Sequence, residues 1–181
     1  FHVVFGIENV KRDGFDPYVP SKRRSKPDYV AIDLYEAQDA FLQACELVET
    51  FPSLVRPNTT LCFLREFQKW QTETYASTAS DKTTFDARLA LFRDSTQPSN
   101  SLHGAWKAPI GIVDGELKYV RIDGRISMTQ GAAIDERKKT LRRANKLLKQ
   151  IQRLDAPYLR PDKAFQVSGA WLWYETQVAL V

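Results

Sequence analysis

Residues 110–122 read IGIVDGELKYVRI, and the Asp114-Gly115 pair near their centre is a strong signal for a two-residue β-hairpin turn. A short apolar run, Ile110–Val113, precedes the turn. After the turn, apolar side chains recur at the two-residue period of a half-buried strand, which we expect to span Leu117–Met128. The apolar face of that strand holds Val120, Ile122, Ile126 and Met128.

Strands and helices on both sides of this hairpin are predicted from apolar periodicity. Alternation predicts a first strand over Phe1–Val10, and Ala164–Ser168 is a last short strand. Helical spacing predicts a long helix over Gly131–Leu154 and a final apolar helix over Gly169–Val181. Three shorter helices are expected before the hairpin, over Leu34–Phe51, Leu61–Glu73 and Phe85–Asp94, and Lys11–Asp33, Thr74–Thr83 and Gln97–Pro109 are expected to be loops.

The resulting order is the split β-α-β-β-α-β arrangement of ferredoxin-like domains. We therefore predict an α/β (α+β) ferredoxin-like sandwich whose first crossover is elaborated by helices. A length of 181 residues suits one domain over the whole chain, with 43% hydrophobic and 27% charged residues in an ordinary globular balance.

The long predicted helix is unusually basic. Its apolar stripe is expected to hold Ile134, Leu141, Ala144, Leu148 and Ile151, and its other faces hold Arg137, Lys138, Lys139, Arg142, Arg143, Lys146, Lys149 and Arg153. One interpretation is a solvated face, and the other is contact with an acidic surface. The hairpin strand lacks the aromatic pattern of RNA-recognition motifs, so we expect no nucleic-acid partner.

Patterns that would indicate catalysis are missing from the sequence. The two histidines, His2 and His103, have no carboxylate or cysteine at ligand spacing, and no nucleotide-binding, hydrolase or metalloprotease motif is present. We therefore expect a protein that is not an enzyme and has no catalytic residues, no metal site and no cofactor.

Two cysteines and one sequon bear on the compartment. Cys45 and Cys62 lie on consecutive predicted helices, and the helix–Pro–turn–helix connection can bring them together, although a reduced core cysteine at position 45 is an alternative. Asn58-Thr59-Thr60 is an N-glycosylation sequon in a Pro-flanked loop, so Asn58 is a candidate glycosylation site. Together these features favour an oxidising, extracytoplasmic compartment.

Aromatic residues near the end of the sequence suggest a membrane interface. Trp171, Trp173 and Tyr174 stand just before the apolar run Val178–Val181, so we expect 169–181 to begin a connection into a transmembrane helix. A core-packing aromatic cluster is the alternative. Core packing is likewise the first expectation for four other aromatics, and lining of a lipid path is the alternative; these are Phe63, Phe67, Trp70 and Trp106.

Five segments, in order, resemble an ectodomain of Dispatched-type proteins: VVFGIENVKRDG, AFLQACELV, LCFLREFQKW, IGIVDGELKYVRI and APYLRPDKAFQVSGAWLWYETQVAL. Those proteins belong with Patched and the Niemann–Pick type C sterol transporters in the eukaryotic branch of the resistance-nodulation-division superfamily. The resemblance covers most of the chain and is most specific at Cys62–Trp70 and Phe165–Trp171. It is weak in Lys11–Asp33 and in Thr74–Lys107.

This resemblance implies a porter-type domain on the extracellular or luminal side of a multi-pass membrane protein. It implies part of a cleft for sterol or lipid-modified cargo, and a Cys45–Cys62 disulfide. The implied partners are the second ectodomain and the transmembrane helices of the same polypeptide, with sterol or a lipidated protein as cargo. The alternative is a stand-alone ferredoxin-like binding module that uses its basic helix for an acidic partner.

Overall fold

A computed structural model describes residues 1–11, 26–95, 106–129 and 132–168 of the chain. In chain order the strands are β1 (His2–Phe5), β2 (Ile7–Lys11), β3 (Lys26–Tyr29), β4 (Ile110–Val113), β5 (Glu116–Asp123) and β6 (Phe165–Val167). The helices are α1 (Gln38–Thr50), α2 (Phe63–Tyr75), α3 (Lys82–Ser95) and α4 (Ile134–Ile151), with one 3-10 turn at Pro161–Lys163.

Four strands form one sheet in the order β4-β5-β1-β6, and every neighbouring pair is antiparallel. Val3 lies at the centre, opposite Ile122 of β5 on one side and Gln166 of β6 on the other. Together with the helices this is a ferredoxin-like α+β sandwich, so the predicted fold class is confirmed. The Asp114-Gly115 turn is also confirmed, and both residues have positive φ there.

Two helices cover the same face of this sheet. The rings of Phe5 and Phe41 lie 5.8 Å apart, which places α1 against the face of β1 that holds Phe5. Gln166, which is in register with Val3, donates a hydrogen bond of 3.2 Å to Asn145 of α4. The sheet side of this core is apolar and fully buried, and consists of Val3, Phe5, Ile110, Val120 and Ile122.

The first predicted strand is wrong in one respect, because it divides at Gly6. Gly6 has a φ of 90°, and a Cβ there would lie 2.2 Å from the carbonyl oxygen of Lys118. The chain therefore leaves the main sheet at this residue, and β2 pairs with β3 in a second, two-stranded sheet. The prediction of loop throughout Lys11–Asp33 is also wrong, since β3 lies inside it.

The return strand of the hairpin is shorter than predicted. It ends at Asp123 rather than Met128, because from Asp123 onward the chain bonds to the connection between α1 and α2. Leu61 N donates to Asp123 O at 2.7 Å, and Ser127 N donates to Leu54 O at 2.9 Å. Ile126 accordingly forms an isolated bridge with Val55 instead of extending β5.

The buried face of α4 also differs from the predicted stripe. Ala144 and Ile151 are fully buried as expected, but Ile134 is 43% exposed, and Leu141 and Leu148 are only half-buried. The residues that face the core are Arg137, Thr140, Ala144, Leu147 and Ile151. The guanidinium of Arg137 is tolerated because its Nε donates to the carbonyl oxygen of Ala132 at 2.9 Å.

Candidate interaction surface

The predicted disulfide is present. Cys45 of α1 and Cys62, at the N-terminus of α2, are bonded, with Cα atoms 5.9 Å apart, and both are buried. The two cysteines are 17 residues apart in sequence, and their bond links α1 to the start of α2 within the elaborated crossover. A buried structural disulfide indicates an oxidising, extracytoplasmic environment.

Asn58 lies in the connection that this disulfide closes. Its side chain is exposed, in a turn where its φ is 59°. The turn is held by Thr59, whose Oγ1 donates to the carbonyl oxygen of Arg56 at 2.7 Å and accepts from Arg125 N at 3.3 Å. Asn58 is therefore accessible to modification, and its glycosylation stays a prediction.

The aromatic residues of the helical crossover fill the core. Phe63, Phe67 and Trp106 are at most 1% exposed, and Trp70 is half-buried beside Phe67 at a ring separation of 6.1 Å. Core packing is thus confirmed for the three buried rings. The predicted membrane-interface residues Trp171, Trp173 and Tyr174, and the second histidine, His103, lie outside the described residues.

A polar cluster on the main sheet was missed by sequence analysis. His2 and Asp123 are cross-strand neighbours, and His2 Nδ1 lies 2.7 Å from Asp123 Oδ1. Arg121 Nε lies 2.5 Å from the same oxygen, and Arg121 Nη2 donates to Asp123 Oδ2 at 2.8 Å. Arg121 is two residues from Asp123 on the same strand, a spacing that the sequence shows, whereas His2 is 121 residues away and only the pairing of β1 with β5 could have revealed it.

The carboxylate of Asp123 is fully buried, and its environment favours the ionised form. Burial alone would raise its pKa, but the hydrogen bonds from His2 and Arg121 outweigh that effect and hold the pKa of Asp123 below its ordinary value. Every carboxylate oxygen has a cationic or polar neighbour. The cluster therefore stabilises the β1–β5 pairing as a buried ion pair, although Arg121 Nε, close to Oδ1, makes no well-directed hydrogen bond, and we assign the cluster a structural role.

Beyond its first turn, which holds the exposed acidic residues Asp135 and Glu136, the outer face of α4 carries only positive charge. Five exposed residues occupy an arc of about 100° opposite the buried face, at 3.6 residues per turn. We call them the cationic stripe: Lys138, Lys139, Arg142, Lys146 and Lys149. Arg143 flanks the stripe on one side, and Arg153 continues its direction beyond the end of the helix; both are also exposed.

These charges are not compensated within the described part of the chain, where no carboxylate forms an ion pair with any residue of the stripe. Lys138–Arg142 and Arg142–Lys146 are like-charged pairs four residues apart, and Lys139–Arg142 and Lys146–Lys149 are like-charged pairs three residues apart. Each such pair destabilises a helix by roughly 0.2–0.5 kcal/mol. Repulsion between these like charges therefore slightly lowers the stability of the fold, and no ion pair of the stripe within the described residues offsets that loss.

A groove runs beside the stripe, between the C-terminal end of α1 and the middle of α4. It encloses about 440 Å³. Leu47, Phe51 and Pro52 contribute apolar surface, and Arg143 and Lys146 contribute the basic wall; Thr50 and Gln150 complete the lining. The groove thus extends the positive surface of α4 towards α1.

A second cleft, of about 500 Å³, lies between the segment 29–32, α3 and the β4–β5 hairpin. Lys82 at its edge is bound to Asp33 at 2.9 Å and to Asp86 at 3.7 Å. Burial lowers the pKa of Lys82, but the hydrogen bond to Asp33 and the neighbouring carboxylates raise it overall, whereas burial raises the pKa of Asp86. These charges are satisfied by one another, so the cleft lacks the unpaired groups that the α4 surface offers.

Other types of site find little support among the described residues. No group of three or more His, Cys, Asp or Glu side chains within them could hold a metal ion. None of the helices that the structure describes has both the length and the apolar character required to cross a bilayer. No family model, no curated protein and no solved structure matches the chain.

Proposed function

We propose that this chain is a non-catalytic ectodomain of a membrane transporter, where it forms part of an extracellular cleft for the export of sterol or lipid-modified cargo. The observation that carries the proposal is the ferredoxin-like sheet order with a helical insertion in its first crossover, held by the Cys45–Cys62 disulfide. The transporter role itself rests on the resemblance of five segments to Dispatched-type ectodomains.

Two further observations support an extracellular position. The disulfide is buried inside the core, where it stabilises the domain in an oxidising compartment. The sequon residue Asn58 is exposed in a turn, on a surface that a glycan can occupy without displacing a buried side chain. The partners under this proposal are the second ectodomain and the transmembrane helices of the same polypeptide.

Alkaline extraction of membranes and photo-crosslinking test this proposal in the full-length protein that contains the chain. We expect the protein to stay in the membrane pellet after alkaline extraction, and a photoactivatable sterol probe to label peptides of this domain. Release of the full-length protein into the supernatant would contradict a transporter. Retention with sterol labelling confined to other domains would contradict the cleft role.

A stand-alone binding module is the second candidate, and the cationic stripe is the observation that favours it. An uncompensated charged helix face suits a partner that is acidic and lies outside the chain. The same extraction separates the two candidates, because a module without membrane helices is released into the supernatant.

A further inference from the structure

We propose that the cationic stripe of α4 binds a linear sulfated polysaccharide. This inference goes beyond the transporter proposal and is independent of it, and it names a partner class for the surface on which the second candidate rests. The argument depends on the distribution of charge, on the orientation of α4 in the fold and on the compartment that the disulfide indicates.

Positive charge is concentrated in one segment of the protein. Residues 137–154 contain eight Lys or Arg and no Asp or Glu, whereas the rest of the chain contains 18 basic and 22 acidic residues. The chain is therefore net acidic apart from this segment, and its formal net charge of +4 arises from residues 137–154, which follow the acidic first turn of α4. A polyanion is attracted to this one face and repelled on average by the remainder.

The stripe has the shape of a row. At a rise of 1.5 Å per residue, Lys138 and Lys149 lie about 16 Å apart along the helix axis, and Lys139, Arg142 and Lys146 lie between them. A linear polyanion can place successive anionic groups against such a row, and it gains affinity by releasing its condensed counterions. No change in the fold is required, because the five side chains are already exposed.

A lipid surface fits α4 less well. An interfacial helix inserts its apolar face between lipids, but the apolar face of α4 is buried in the core through Ala144, Leu147 and Ile151. The negative surface potential of membranes also belongs mainly to the cytoplasmic leaflet, whereas the disulfide indicates the opposite side.

Acidic protein segments and nucleic acids fit less well for other reasons. Helical and extended peptides gain most of their affinity from apolar anchors in pockets. The stripe contains no apolar residue, and the apolar surface of Leu47, Phe51 and Pro52 lies in the groove to one side of it rather than along the row of charges. Nucleic acid shares the charge and linearity of a sulfated polysaccharide. It is an intracellular partner, however, and the buried Cys45–Cys62 bond indicates an oxidising compartment.

The experiment measures binding of a size-defined heparin oligosaccharide to the secreted 181-residue chain by titration calorimetry at several salt concentrations. The stripe variant is Lys139→Gln/Arg142→Gln/Lys146→Gln. The matched control removes three exposed charges elsewhere, as Arg56→Gln/Lys69→Gln/Lys107→Gln. Removing like-charge repulsion should leave the stripe variant at least as stable as the parent, and thermal unfolding checks that it is folded.

We expect the stripe variant to lose at least about tenfold in affinity near physiological salt, and the slope of log affinity against log salt to fall by about two to three. The control is expected to change affinity less than about twofold. Equal affinity in the parent and the stripe variant would overturn the proposal. Tighter binding of the parent to polyglutamate, to single-stranded DNA or to anionic vesicles than to heparin would also overturn it, in favour of that other partner.

Discussion

The two helices that cover the main sheet, α1 and α4, each bury one face in the core, but their outer faces differ in the sign of their charge. α1 exposes acidic residues, Asp39, Glu46 and Glu49, and Glu49 is paired with Arg65 of α2 at 2.5 Å. α1 is also bonded covalently to α2 through Cys45. α4 exposes only cations along its stripe, without such partners in the described residues. The contrast indicates that α1 makes stabilising contacts on several of its faces. α4 packs through one face, and its outer face is available to a partner outside the chain.

Removing the disulfide that links α1 to α2 should give the largest loss of stability. The double variant Cys45→Ala/Cys62→Ala is expected to lose about 3 kcal/mol of unfolding free energy, because its unfolded chain is no longer restrained by a loop of this length. Urea denaturation measures the loss. The parent should fall to a similar stability when reduced with dithiothreitol, whereas the double variant should not respond; a parent that is insensitive to reduction would contradict the assignment.

Breaking the ion pair of His2, Arg121 and Asp123, on the sheet face that points away from the helices, should give a smaller loss of stability. Asp123→Asn removes the charge that His2 and Arg121 share, and we expect about 2 kcal/mol, reduced from a fully buried pair because the Arg121 side chain is 22% exposed. Because its folded-state pKa is lowered, the Asp123 carboxylate contributes stability above its ordinary pKa of 3.8. That contribution is lost as pH falls through the lowered value.

Urea denaturation at a series of pH values checks the sign of this prediction. The difference in stability between the parent and Asp123→Asn should be constant near neutral pH and should shrink below pH 3.8. A difference that stays unchanged into that acid range would show that the pKa of Asp123 is not lowered in the folded protein.

Single charge removals on the outer faces of α1 and α4 should have small effects of opposite sign. Glu49→Gln breaks the pair with Arg65 and is expected to lower stability by up to about 0.5 kcal/mol, since both side chains are partly exposed. Arg142→Gln removes repulsion from its neighbours on the stripe and is expected to raise stability by up to about 1 kcal/mol. Thermal unfolding at low salt compares the two variants. A loss of stability in Arg142→Gln would show that acidic groups compensate the positive charge of α4.

Local patterns account for the parts of the fold that the sequence predicted. The Asp114-Gly115 turn and the helical periodicity of α1 and α4 depend on neighbours within one or two turns, so they are visible in the chain itself. From these elements the β-α-β-β-α-β order, and hence the sheet order, could be inferred. The Cys45–Cys62 pair was inferred by resemblance, while the residues alone also allowed a reduced core cysteine.

The parts that the sequence did not predict depend on distant contacts. The end of β5 at Asp123 is set by hydrogen bonds to Leu61 and to the α1–α2 connection. The strand β3 exists because it pairs with β2, and its sequence, KPDY, has no strand period. The buried stripe of α4 includes Arg137 rather than the predicted Ile134, because the sheet and α1 determine which face of the helix is covered. The charge of α4 was plain in the sequence, but its lack of partners became visible only in the fold.

Lysine acetylation footprinting tests most directly whether the outer face of α4 is reserved for an external polyanion. The chain is treated with an acetylating reagent with and without the heparin oligosaccharide, and modification of each lysine is quantified by mass spectrometry. We predict protection of Lys138, Lys139, Lys146 and Lys149, with unchanged reactivity at Lys69 and Lys107. Equal reactivity of the stripe lysines with and without the oligosaccharide, or protection centred on Lys69 and Lys107, would contradict the account.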